Sequence, residues 1–158
     1  MIIVGIGGYA VSENDKESII THALGSCVAF IVRCPKTRKT AMAHIVLPET
    51  DRVEQYKYLR NKPGYFADLI IPKIISDFSR NQSCKVEHLQ VTIAGGADAR
   101  NPNDVFRVGP RNVEKVRHFL RLHGIHPKFI DVGGDISRTV EIFVSNGHVD
   151  IRRQKMIV

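Results

Sequence analysis

Cys27 is the residue of this chain best placed to do chemistry. It stands in Thr21-His22-Ala23-Leu24-Gly25-Ser26-Cys27-Val28-Ala29, where the small, flexible Gly25-Ser26 pair delivers a thiol between two apolar runs. A free thiol titrates at about 8.5, so little of it is thiolate at neutral pH, and an adjacent imidazole is the usual means of raising that share. His44 offers one, as the lone polar residue within Ala41-Met42-Ala43-His44-Ile45-Val46-Leu47. If the two runs pair as a hairpin, Cys27 and His44 come to the same end of neighbouring strands. Residue types and spacing leave two readings open: a catalytic dyad, or a buried structural cysteine near a satisfied core histidine. On spacing alone the second is the commoner arrangement.

Other chemistries have weaker claims. Gly5-Ile6-Gly7-Gly8 and Gly133-Gly134 follow β-like runs, but no G-x-G-x-x-G string is completed and no helical pattern follows Gly8, so turns explain these glycines better than phosphate cradling. His118, His123 and His126, or Cys84 with His88, could be imagined around zinc. There is no C-x-x-C pair, and His118 and His123 are five apart and do not share a helix face. We therefore expect neither a metal nor a cofactor.

The elements that must position Cys27 and His44 follow from hydrophobic period. Ile2 to Ile6, Ile19 to Ala23, Val28 to Arg33 and Thr40 to Leu47 read as strands, the last two joined through Pro35-Lys36-Thr37-Arg38-Lys39. Val28 to Val32 is apolar on both faces, as a strand covered on two sides must be. Pro48 to Gly64 has no sustained apolar period and reads as a long surface loop, of a length that often serves as a lid. Tyr65 to Phe78 carries apolar residues at helical spacing, with Pro72 kinking the helix or marking its first turn. Leu89 to Ala94 is a strand, Asp98 to Asp104 a polar loop, and Pro110 to Leu122 the clearest helix, closed by Gly124. Phe129 to Val132, Thr139 to Val144 and His148 to Arg152 are further strands, the last two joined by a Ser145-Asn146-Gly147 turn. The expected fold is α+β: a strand-rich layered sandwich of mixed or antiparallel sheet flanked by about two main helices.

A chain of 158 residues, 43% hydrophobic and 25% charged, suits one globular domain over residues 1–158. Lys and Arg number 23 against 16 Asp and Glu, a formal net charge of +7, which favours acidic partners without naming them. No apolar run approaches a membrane span. The N-terminus lacks the pattern of a secretory leader and the three cysteines are odd in number. A cytoplasmic protein with reduced thiols is the expectation.

The strings Leu24-Gly25-Ser26-Cys27-Val28 and Ala43-His44-Ile45-Val46-Leu47-Pro48 resemble those of CheD, the chemoreceptor glutamine deamidase family of bacterial and archaeal chemotaxis. Pro63-Gly64-Tyr65-Phe66-Ala67-Asp68, Ala94-Gly95-Gly96-Ala97, Gly109-Pro110-Arg111-Asn112-Val113 and Asp131-Val132-Gly133-Gly134 with Arg138 follow in the same order. The resemblance spans Ile3 to Arg152 and tips the balance toward the dyad. Departures occur at His22, which alternation points away from Thr21, and at Pro110, where a small residue is usual.

The resemblance implies a cysteine hydrolase that converts receptor glutamines to glutamate and releases ammonia, with Cys27 as nucleophile, His44 as base and Thr21 orienting the imidazole. Backbone N–H groups around Gly25 and Ser26 are our own candidates for oxyanion donors. Implied partners are chemoreceptor cytoplasmic domains as substrate and the phosphatase CheC. Neither nucleic-acid binding nor membrane insertion is expected. A non-enzymatic adaptor that docks to receptors or CheC is the alternative, and intact Thr21, Cys27 and His44 argue against it.

Overall fold

The computed structural model describes residues 1–50, 60–80, 83–99 and 103–156. Its strands are β1 (Ile2–Ile3), β2 (Tyr9–Ser12), β3 (Ser18–Leu24), β4 (Val28–Arg33), β5 (Thr40–Ile45), β6 (Gln90–Gly95), β7 (Phe129–Val132), β8 (Ile136–Phe143) and β9 (Val149–Lys155), and its helices are α1 (Ala67–Ser79) and α2 (Val108–Leu122). One sheet runs β1-β3-β8-β9 and the other β2-β5-β4-β6-β7. The β1–β3 and β6–β7 pairs are parallel and the rest antiparallel. This is the expected α+β sandwich, with its strands divided between two mixed sheets.

Strand alternation explains the layering. Val28, Phe30 and Val32 face a core shared with Ile70 and Ile74 of α1 and Val116 of α2. Ala29 and Ile31 face the opposite way and pack with Ile19, Met42, Val140 and Ile142 between the sheets. All six residues of β4 are buried, as its two-sided apolar pattern requires. Each large side chain buried this way stabilises the fold by about 1.5–3 kcal/mol.

Both short turns form. Cys34 N–H donates to the Lys39 carbonyl at 2.9 Å across the β4–β5 hairpin, and Gly147 N–H donates to the Phe143 carbonyl at 2.8 Å across β8–β9. The N-terminal strand is shorter than expected. It ends at Ile3 because the chain turns through Gly7, whose φ of 73° is a conformation open to glycine, and β2 follows as an edge strand that the sequence did not announce. α1 begins at Ala67, so Pro72 lies inside the helix and does not mark its first turn. α2 starts at Val108, which puts Pro110 in the first turn, where its missing N–H has no helical acceptor. Residues 51–59 of the expected loop and lid lie outside the described residues, as do residues 100–102 of the polar loop.

The expectation of reduced thiols is corrected for two cysteines. Cys34, at the end of β4, and Cys84, before β6, form a disulfide with their Cα atoms 5.9 Å apart. The bridge closes 50 residues, which on loop-closure grounds stabilises the fold by about 4 kcal/mol. Cys27 is the free thiol. Among the described residues no helix is long and apolar enough to cross a membrane.

Candidate active site

Three elements bring the expected residues together. β4 and β5 pair Ala29 directly with His44. Cys27 lies two residues before Ala29 on the same face and therefore sits diagonally across from His44. Diagonal neighbours in an antiparallel pair are about 7–8 Å apart at the backbone, within reach of a ring. The shared face looks into the space between the sheets, where β3 of the other sheet contributes Thr21 beside Ile19.

Thr21 Oγ1 lies 2.7 Å from His44 Nδ1 and 2.7 Å from the Val4 carbonyl oxygen. The hydroxyl has one proton, and the carbonyl can only accept, so that proton goes to Val4. The imidazole must then donate to Thr21, which places its proton on Nδ1 and leaves the Nε2 lone pair as the free base. Backbone bonds fix the ring's anchor as well: His44 N–H donates to the Gly8 carbonyl and Gly7 N–H donates to the His44 carbonyl, each at 3.0 Å. The glycine string that suggested phosphate binding thus forms the turn that holds His44.

A bulge between Thr21 and Leu24, with Ala23 at a φ of 53°, ends regular β3–β8 pairing and releases the chain into the Gly25-Ser26-Cys27 turn. All three carbonyls of that turn are pinned. Gly25 accepts from Ala97 N–H at 2.9 Å, Ser26 from Asn112 Nδ2 at 3.0 Å and Cys27 from Gly96 N–H at 2.8 Å. In a trans peptide the carbonyl of one residue and the N–H of the next point in opposite directions. Pinning the Gly25 and Ser26 carbonyls therefore turns the Ser26 and Cys27 N–H groups away from the scaffold, and neither has a partner among the described residues.

Burial sets the resting charge state. It raises the Cys27 thiol to about 11, and together with the Lys62 ammonium it lowers the His44 imidazole to about 4. At neutral pH both groups are uncharged. Lys62 is itself anchored by donation to the Ile6 carbonyl at 2.9 Å.

Sequence reasoning gave no role to the residues that hold this turn. Asn112 is fully buried and donates to both the Ser26 carbonyl and the Val46 carbonyl, at 3.0 and 2.9 Å. It thereby joins the segment carrying Cys27 to the one leaving His44. The signal was a polar residue on the same α2 stripe as Gly109, Val116 and Leu120. Gly95 cannot carry a side chain, since a Cβ there would lie 2.2 Å from the Cys27 carbonyl oxygen. Buried Arg138 ties the two sheets at this end, donating to the Gly95 carbonyl at 3.3 Å and to Asp131 at 2.9 Å.

The remaining candidates stand apart. His22, His118, His123 and His126 are exposed, and among the described residues no three of His, Cys, Asp and Glu are grouped to share a metal ion.

The family model for CheD chemotactic sensory transduction matches residues 46–153. A probable chemoreceptor glutamine deamidase CheD of Syntrophotalea carbinolica is 37% identical over 155 residues, covering 95% of this chain and 92% of that protein. The chemoreceptor glutamine deamidase CheD of Thermotoga maritima is 36% identical over 151 residues, covering 96% of this chain and 90% of that protein. An archaeal relative from Archaeoglobus fulgidus, a probable chemoreceptor glutamine deamidase CheD, is 31% identical over 153 residues, 96% of this chain and 92% of its own.

Proposed function

The chain belongs to the CheD chemotaxis family, and on that premise we propose that it deamidates glutamines of chemoreceptors through Cys27, His44 and Thr21. The observation that carries the residue assignment is the Thr21 hydroxyl shared between Val4 and His44 Nδ1, because it leaves Nε2 as a base on the face that Cys27 occupies.

The chemistry follows from that arrangement. As Cys27 Sγ attacks the side-chain amide carbon, its proton passes to His44 Nε2, and the amide oxygen takes up the negative charge. The outward N–H groups of Ser26 and Cys27 stabilise that oxyanion. His44 returns the proton to the leaving nitrogen, ammonia departs and a thioester remains. Water then gives a proton to Nε2 while its oxygen attacks the thioester carbon, and collapse releases glutamate and restores the Cys27 thiol. Water is consumed and one ammonia is formed per glutamine.

Partners and setting belong to the same reading. The substrate is the cytoplasmic region of a chemoreceptor, which makes the enzyme cytoplasmic, and the net charge of +7 steers it toward acidic helices. Residues 1–158 act as one domain, and CheC is the regulatory partner that family resemblance suggests.

Mass spectrometry of a cognate receptor cytoplasmic fragment tests the proposal. Wild-type protein should convert specific glutamines to glutamate, Cys27→Ala should convert none, and loss of His44 should cost on the order of 10²–10⁴ in rate. Conversion by folded Cys27→Ala, or by neither protein on a folded receptor, overturns it.

A further inference from the structure

Two buried arginines clamp the sandwich, one at each end. Arg138, 3% exposed, has a carboxylate beside it in Asp131. Arg33, 5% exposed, has none among the described residues. Its Nε and Nη2 donate to the Val144 carbonyl at 3.3 and 3.0 Å, and Nη2 also to the Ser145 carbonyl at 3.1 Å. The guanidinium lies over Gly147, where an added Cβ would meet its Cδ at 2.9 Å. Carbonyl dipoles orient it without balancing its charge, and burial first, then the nearby Arg38 cation, act against the charged form. A buried charge without a counter-ion is costly.

That guanidinium lines a cavity of about 290 Å³ between the edge strands of the two sheets. Its position is the opposite end of β4 from Cys27, about 20 Å away by strand rise. The Thr92 side chain also lines it. Thr92 is 6% exposed, and its hydroxyl has no hydrogen-bond partner among the described residues. Lys128 and His148 supply further polar groups, Phe129 and Val149 apolar wall, and no carboxylate lines the cavity.

We propose that this cavity binds a small organic anion, a carboxylate or phosphate with an apolar body, whose charge sits against Arg33, Thr92 and Lys128. The anion does at this end what Asp131 does for Arg138 at the other, and the apolar body lies on Phe129 and Val149. The volume is that of a small metabolite. This site is separate from the deamidation machinery and stands or falls independently of it.

Nitrogen-15 NMR titration of the full chain with phenylacetate, phenyl phosphate and neutral 2-phenylethanol tests the proposal. One or both anions should give saturable shifts centred on Thr92, Phe129 and His148, and the alcohol should not. The anion that binds identifies carboxylate or phosphate as the recognised group. The combined Thr92→Val and Lys128→Gln variant leaves the Arg33 clamp in place and should weaken binding about tenfold or more. Absence of saturable shifts with both anions, equal binding of the alcohol, or unchanged affinity in the folded double variant overturns the proposal.

Discussion

Thr21→Val keeps the shape of the side chain and removes its hydroxyl. Two buried groups then lose their partner: the Val4 carbonyl and the His44 Nδ1 proton, each 2.7 Å from the missing oxygen. An unsatisfied buried group costs about 1–3 kcal/mol, so the variant should lose about 2–6 kcal/mol of stability. Catalysis should fall for a separate reason. No other described residue bonds His44 Nδ1, and loss of a hydrogen bond worth about 1–1.5 kcal/mol relaxes the tautomer preference roughly tenfold. Where the orienting partner is a carboxylate, a wrong tautomer costs about 10⁴ in kcat. A neutral hydroxyl partner puts the expected loss at about 10–10². Ammonia release from a receptor fragment gives kcat, denaturant unfolding gives stability, and imidazole nitrogen-15 shifts read the tautomer directly. Thr21→Ser should recover both activity and the Nδ1–H signal. Unchanged kcat in a folded Thr21→Val protein, or a wild-type spectrum showing the proton on Nε2, would refute the hydrogen-bond argument.

His44 should make the fold acid-sensitive in a defined window. Its folded value of about 4 lies below the ordinary histidine value of 6.5, so the unfolded chain binds the proton first; its contribution of about 3 kcal/mol is complete above 6.5 and is lost as pH falls through 4. The slope of unfolding free energy against pH over that interval should be shallower in His44→Gln, and equal slopes would contradict the assignment. Asn112→Ala should lower kcat more than it changes KM and should alter the alkylation rate of Cys27, since the Ser26 carbonyl loses the donor that sets the turn; a stability loss with neither kinetic change would make Asn112 purely structural.

The parts legible in the sequence are those set by local period and local turn chemistry. β4 and β7 have the expected bounds because both are bracketed by strong breakers or by a switch of pattern. The Cys27–His44 juxtaposition was legible once the hairpin was assumed, since register follows from a short connection. What escaped was fixed by distant segments. β2 is four residues long and is a strand because β5 offers its edge. Three cysteines allow one pair without saying which, and the Cys34–Cys84 bridge depends on how α1 returns the chain. Asn112 was visible as a polar residue on an apolar stripe. Its two acceptors, 86 and 66 residues away in sequence, were not.

On the proposed reading, the resting dyad is uncharged, and this relocates much of the catalytic burden. A carboxylate beside the imidazole would hold a positive charge on the ring; Thr21 offers only a neutral oxygen, so burial prevails and His44 stays a neutral base. Proton transfer from Cys27 must then create two opposite charges in a partly dry space, and it becomes favourable only when the new negative charge moves onto the substrate oxygen. The groups that receive it are the Ser26 and Cys27 N–H groups. Their direction is not a property of the dyad. It comes from Ala97 and Asn112 holding the preceding carbonyls, with Gly96 holding the next and Arg138 steadying Gly95 from the opposite sheet. Reactivity is therefore withheld until an amide occupies the turn, and the residues that confer this selectivity lie 68 or more positions beyond the cysteine they serve.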